Sequence, residues 1–260
     1  MKNNREYTIK ELCEMEFTEK KLAVPIGYVG KKKLKFIDFK DTSGLFIAGT
    51  TGTGKSILID DIVVALMHKN KPSEVRFIML DPKKMELVEY NGIKYLIGKS
   101  ESKSRKGINY LISLLKLLEA RVHTLVKTGH RTISGYNCDE KEKWPHVFVI
   151  VDEGCDIIKM QGAIEAFSRI LEYGEFVGIH LIYATNAYLK GHEDFIELFK
   201  YRISFDLASV EQAELIDIKD SSWQKGEGNA IVKESNGKTH KIHTPHVSDD
   251  EINEVVSKNM

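Results

Sequence analysis

Apolar residues along this chain fall into two patterns, short unbroken runs and longer stretches at helical spacing, and their alternation predicts an α/β protein. The runs are Leu45-Phe46-Ile47-Ala48, Val75-Arg76-Phe77-Ile78-Met79-Leu80, Val147-Phe148-Val149-Ile150-Val151 and Ile179-His180-Leu181-Ile182-Tyr183-Ala184. Segments apolar at nearly every position suit parallel strands buried on both faces. Between them lie helical stretches at 57–67, at 107–127, where Leu111, Leu115, Leu118, Val122 and Leu125 recur, and around 164–176. A shorter helix through 195–199 leads to Arg202-Ile203-Ser204-Phe205. Strands joined by helical crossovers imply a mostly parallel sheet flanked by helices, with right-handed connections.

Both ends of the chain add small antiparallel pieces. Residues 22–39 read as a β-hairpin with Lys31, Lys32 and Lys33 at a solvated tip, and 228–243 as a second hairpin turning at Asn236-Gly237. Thr8 with Glu11, and Ser248 with Glu251, have capping-box spacing and each predicts a short helix. The expected division is 1–21 as an N-terminal helix or extension, 22–247 as the main domain, and 248–260 as a short C-terminal helix. Residues 127–137 read as a turn-rich, locally basic connection.

Composition narrows the classes. At 260 residues the chain is long enough for one sizeable core. Lys+Arg and Asp+Glu balance at 38 each, so contact with a nucleic acid has to come from a local basic patch. Cys13, Cys138 and Cys155 show no paired spacing and read as reduced thiols of a cytoplasmic protein. No apolar run reaches the ~20 residues of a membrane span, so no direct membrane insertion is expected. Attachment to a membrane or a transfer machinery would come through a partner. His240, His243 and His246 lack the cysteine or acid pair that would complete a zinc site, and read as surface residues.

The chemistry starts at Gly49-Thr50-Thr51-Gly52-Thr53-Gly54-Lys55-Ser56, which fits the phosphate-binding template G-x-x-x-x-G-K-[ST] between a strand and a helix. Small residues let the backbone wrap a triphosphate, and the N–H groups up to Ile57 meet it at a helix N-terminus that favours anions. Lys55 would reach the β- and γ-phosphates of ATP, and Ser56 would ligate Mg2+.

Asp152 and Glu153 end the all-apolar strand at 147–151. Asp152 has the position of the carboxylate that supports magnesium in P-loop ATPases, while Glu153, turned to the other side of the strand, would polarise the attacking water. Asn186, at the tip of the strand at 179–184, would sense the γ-phosphate. A glutamate beside the magnesium aspartate argues for ATP hydrolysis coupled to mechanical work.

Beyond these motifs, four segments carry a family resemblance: Asp81-Pro82-Lys83-Lys84-Met85-Glu86-Leu87, Gly129-His130-Arg131-Thr132-Ile133-Ser134-Gly135-Tyr136-Asn137, Gly178-Ile179-His180-Leu181 and Tyr201-Arg202-Ile203-Ser204-Phe205. With them the chain resembles the motor domain of the FtsK/SpoIIIE DNA translocases from about residue 24 to 251. The resemblance implies a RecA-like P-loop ATPase fold, a hexameric ring of identical subunits, ATP at subunit boundaries and double-stranded DNA in the pore. It also implies an arginine finger from a neighbour, for which Arg169 and Arg202 match family positions. Two departures stand out: family members carry glutamine followed by Arg-Pro where this chain has Asn186-Ala187-Tyr188, and an arginine where it has Glu175. Lys190 and Lys200 would then supply phosphate contacts to DNA. The resemblance covers the motor alone, so directional reading of DNA sequence is not expected of these residues. Alternative readings are a conjugative coupling ATPase, a type VII protein-secretion ATPase of the same fold, or a degenerate nucleotide-binding scaffold. The last is disfavoured because Lys55, Ser56, Asp152 and Glu153 are all present.

Overall fold

The structure is a computed structural model that describes residues 8–16, 19–30, 33–82, 87–98, 104–186, 189–207, 209–218 and 226–260. The lysines at 31 and 32, residues 83–86 and the pair 187–188 of the sequence reading lie outside them. In chain order the strands are β1 (Ala23–Val29), β2 (Lys33–Asp38), β3 (Gly44–Ala48), β4 (Val75–Leu80), β5 (His146–Val151), β6 (Ile179–Thr185), β7 (Tyr201–Ser204), β8 (Asn229–Glu234) and β9 (Thr239–His243). The helices are α1 (Ile9–Glu16), α2 (Lys55–Lys69), α3 (Ser104–Thr128), α4 (Ile133–Asp139), α5 (Ala163–Val177), α6 (Glu193–Glu197), α7 (Val210–Leu215) and α8 (Asp249–Lys258).

All nine strands join one sheet in the order β2-β1-β9-β8-β7-β3-β6-β5-β4. The segment from β7 to β4 is parallel, as the unbroken apolar runs predict, and the rest is antiparallel. β3 pairs with β6 and β7 rather than with β4, which follows it in sequence. The chain therefore leaves β3 in one direction and returns to its other flank, and such a switch point opens a ligand crevice at the carboxyl ends of the strands. The two terminal hairpins extend the same edge and meet where Tyr28 pairs with His243.

Side chains alternate between two cores. Leu45 and Ile47 of β3, with Phe148 and Ile150 of β5, face a layer formed by α1, α2 and α8. Phe46 and Ala48, with Val147, Val149 and Val151, face α3, α5 and α6 on the opposite side. Each fully buried Leu, Ile or Phe contributes about 1.5–3 kcal/mol, so both helical layers are needed to cover a sheet this apolar.

Local signals fared unequally. Thr8 and Glu11 form the reciprocal capping box the sequence predicts, each accepting from the other's backbone N–H at 3.0 and 3.1 Å. At α8 the Ser248 hydroxyl accepts from Glu251 N at 3.2 Å, but the Glu251 carboxylate turns away. It accepts from Ile9 N and Lys10 N instead, so an acid of α8 caps the first turn of α1 and ties the two end helices together over α2. The basic stretch at 127–137, expected as a turn, contains α4. Thr132 caps it by accepting from Gly135 N at 3.3 Å, a signal masked by the glycines around it.

Candidate functional site

The loop after β3 is held by its neighbours before any ligand is considered. Gly49 N donates to Thr185 O at 3.3 Å and Thr50 N to Asp206 O at 2.7 Å, which pins the loop between the ends of β6 and β7. Thr53 Oγ1 donates to Thr50 O at 2.8 Å, and Lys55 Nζ to the same carbonyl at 2.9 Å. Lys55 is only 5% exposed, so its ammonium is folded back over the loop. Gly54 has φ 113°, a conformation that L side chains rarely adopt, and a Cβ there would lie 3.1 Å from the Phe205 ring. The aromatic residue after β7 thus forms the loop's side wall. Asp206 acts through its carbonyl and Phe205 through its ring, and neither carries a residue-type signal in the sequence.

The acids arrive from β5, separated from β3 by β6. Asp152 N donates to Leu80 O at 3.0 Å and Gly154 N to Ala184 O at 2.8 Å, so the turn after β5 is anchored on both flanks. Asp152 is 1% exposed, and its Oδ2 faces Ser56 Oγ at 3.5 Å. That separation exceeds an ordinary O–H···O bond. The two hard oxygen donors suit magnesium, whose other ligands are characteristically phosphate oxygens and water.

Glu153 lies beyond the strand end, 8% exposed, with φ 53°. A non-glycine residue in the left-handed region costs about 1–3 kcal/mol and persists where its surroundings hold it. Here the hold is visible: Glu153 N donates to Asp152 Oδ1 at 2.9 Å, and Asn186 Nδ2 donates to Glu153 Oε1 at 3.0 Å. Asn186 Nδ2 also lies 3.4 Å from Thr51 Oγ1, linking the strand tip to the phosphate loop. Of the residues singled out from sequence, the loop at 49–57, Asp152, Glu153 and Asn186 converge on this crevice.

The two arginines do not. Arg169, on α5, has Nη1 3.6 Å from Glu119 Oε1 of α3, a solvent-exposed pair of small energetic worth. Arg202 stands opposite Phe46, back from the loop end of β3, and donates Nη2 to Glu197 O at 3.2 Å. Partial burial lowers its pKa while Glu197 opposes the shift. Lys200 pairs with Glu175, so the acid that replaces a family arginine is charge-matched within the chain.

The segment at 129–137 has a structural task at the opposite end of the sheet. Asn137 clamps Trp144, donating to its carbonyl at 2.9 Å and accepting from its N–H at 2.8 Å, while Tyr136 stacks on the indole at 3.9 Å. The Arg121 guanidinium lies 5.2 Å from the centre of the Trp144 ring and donates to Val177 O and Pro145 O. Next to it His146 Nδ1 and His180 Nε2 lie 3.0 Å apart, and His180 Nδ1 donates to Thr42 O at 2.9 Å. Burial first, and then the Arg121 charge, push the His146 pKa down to about 4. His180 is also pushed well down, chiefly by burial, so the pair is neutral at pH 7.

The profile of the FtsK/SpoIIIE family matches residues 14–204. The chain belongs to the FtsK/SpoIIIE family. Among curated relatives, the DNA translocase FtsK of Mesorhizobium japonicum is 28% identical over 94% of this chain, which covers 32% of that protein. FtsK of Leptospira interrogans is 31% identical over 92% of the chain, which covers 27% of it. The chain thus spans about a third of the length of the FtsK relatives it matches. Among solved structures, the cytoplasmic domain of the Thermomonospora curvata type VII secretion ATPase EccC superposes with TM-score 0.83 at 18% identity, over 98% of this chain and 34% of that one. The pCW3 conjugation coupling protein TcpA gives TM-score 0.80 at 18% identity, over 93% and 72%. These structural likenesses show that this FtsK/SpoIIIE member shares its α/β fold with those two proteins. Among the described residues, no helix is long and apolar enough to cross a membrane.

Proposed function

We propose that this FtsK/SpoIIIE member is the ATP-hydrolysing motor of a double-stranded DNA translocase, working in the cytoplasm as a ring of identical subunits. One observation carries the reading. Asp152 faces Ser56, and Glu153 is gripped by Asn186, on one flank of the loop at 49–56.

In this reading the backbone N–H groups of Thr51, Gly52, Thr53, Gly54 and Ile57 cradle the phosphates, and Lys55 leaves Thr50 O for the β- and γ-oxygens. Ser56 and Asp152 would hold magnesium, which when bound would supply positive charge to the phosphate oxygens. Glu153 accepts the proton of the attacking water, and Asn186 keeps the carboxylate turned toward it. Arg169 pairs with Glu119 and Arg202 with the Glu197 carbonyl, and the family resemblance gives the finger to a neighbouring subunit in the ring. Arg169, whose weak pair with Glu119 is readily exchanged, is the stronger candidate.

The FtsK relatives support DNA as the polymer moved. Lys200 is engaged by Glu175 and Asp41 O, which leaves exposed Lys190 as the better phosphate contact of the two.

The test is ATP turnover with and without duplex DNA across a salt series. Severalfold stimulation, and binding that weakens steeply with salt, are expected. Assembled protein that duplex DNA does not stimulate would overturn the translocase reading. A response to single strands with a relaxase, or to secretion-signal peptides, would replace it with the coupling or secretion reading.

A further inference from the structure

In the sheet, β3 has β6 and β5 on one side and β7 and β8 on the other. Asp152, Glu153 and Asn186 all stand on the β6/β5 side, so the terminal phosphate has to lie there for Glu153 to serve its water. A triphosphate laid along the loop therefore carries its nucleoside to the opposite side, toward β7 and β8.

The feature waiting there is the glycine turn that leads into β8. Gly228 N lies 3.7 Å from the position a Cβ on Gly54 would take, so this turn sits directly beside the phosphate loop. Gly228 has φ 74°, and a Cβ on it would meet His243 Cε1 at 3.1 Å. Glycine thus leaves room for the His243 imidazole against the turn. The His243 ring is exposed, yet it is fixed: Nδ1 lies 3.1 Å from Asn229 Oδ1, its cross-strand partner in β8.

The position of residue 243 in its strand is set by main-chain pairing with Asn229 and Tyr28, so the side chain is not needed to place the strand. An exposed side chain of this kind contributes little to the core. An imidazole ring held against the turn at Gly228, which itself adjoins Gly54 on the nucleoside side, is suited to lie against a base.

We propose that Gly228, Asn229 and His243 form the nucleoside wall of the site, with the His243 ring against the base and Asn229 as its positioning residue. The proposal rests on the phosphate-loop reading above. It is separable from that reading, because tripolyphosphate shares the loop contacts and has no nucleoside.

Binding of ATP and of tripolyphosphate to the whole chain, measured by calorimetry with magnesium present, tests it. In His243→Ala, ATP is expected to bind about tenfold more weakly while tripolyphosphate binding is unchanged. Asn229→Ala gives a smaller loss of the same kind, and His243→Phe restores most of the ATP affinity. ATP affinity unmoved in His243→Ala overturns the wall, and so does an equal loss for both ligands, which marks general damage to the loop. If the unsubstituted protein binds neither ligand, the phosphate-loop reading fails and the wall fails with it.

Discussion

Asn186, at the tip of β6, donates its side-chain amide to Glu153 Oε1 at 3.0 Å, so a residue brought by one strand orients the acid brought by the next. The carboxylate is held by a neutral donor, which fixes its direction without adding a charge beside it. A proton acceptor in a water-attack step needs this fixed direction more than it needs raw basicity.

Glu153→Gln keeps the size and the contact with Asn186 but cannot accept a proton. Turnover should fall at least about a hundredfold with ATP binding intact, read by steady-state kinetics alongside nucleotide binding. Asn186→Ala should lower kcat about tenfold and leave affinity nearly unchanged, since it acts through Glu153. Undiminished turnover in Glu153→Gln would contradict the role given to that carboxylate.

Bonds within the chain brace the loop at 49–56. Lys55→Ala removes the cation assigned to the phosphates in the proposed reading and should abolish measurable ATP binding. Gly54→Ala should weaken it by pressing Phe205 and straining a φ of 113°. Both effects are read in the same titration, with circular dichroism confirming the fold.

Buried titratable groups give stability a pH dependence of opposing signs. His146 and His180 have folded pKa values below their unfolded ones, so the unfolded state binds more protons and stability is lost as pH falls below about 6.5 toward 4. Asp61 is fully buried in α2, where it accepts from Val247 N at 2.8 Å, and burial raises its pKa to about 8. The folded state then holds a proton that the unfolded state has released, so stability falls as pH rises from about 4 to 8. Thermal melts of Asp61→Asn against the parent protein should show a difference in favour of the variant that grows over this window and levels off above about pH 8. A pH-independent difference would show that Asp61 is ionised throughout.

The stretch at 129–137 is a clamp on the sheet's far end. Asn137→Ala leaves the Trp144 backbone groups without both partners and should cost roughly 1–3 kcal/mol in urea unfolding, with kcat of the folded protein little changed. A large kcat loss at unaltered stability would place this segment in the motor's working parts instead.

The parallel strands, the major crossover helices, the phosphate loop and the acid pair were legible because each is written in neighbouring residues. Strand and helix periods, glycines at strained φ, and acids closing an apolar run depend on local stereochemistry, and Thr8 with Glu11 shows the same logic at a cap. α4 was missed because its cap lies among glycines that read as a turn. Glu251 was half read: its spacing to Ser248 was sound, but its carboxylate had a better use at the N-terminus of α1, far away in sequence.

By itself, then, the sequence determined the parallel strands and the major helices and marked the loop at 49–56, Asp152, Glu153 and Asn186 as the residue types suited to phosphate and proton chemistry, since those follow from propensity, period and residue type. Only the tertiary structure decided that β6 lies between the loop strand and the acid strand, that Asn186 holds Glu153, that Phe205 and the Asp206 carbonyl brace the loop, and that the turn at Gly228 stands beside Gly54. Strand order is set by how two helical layers cover an apolar sheet. Contacts made through backbone carbonyls, ring faces and missing side chains leave no mark in residue type.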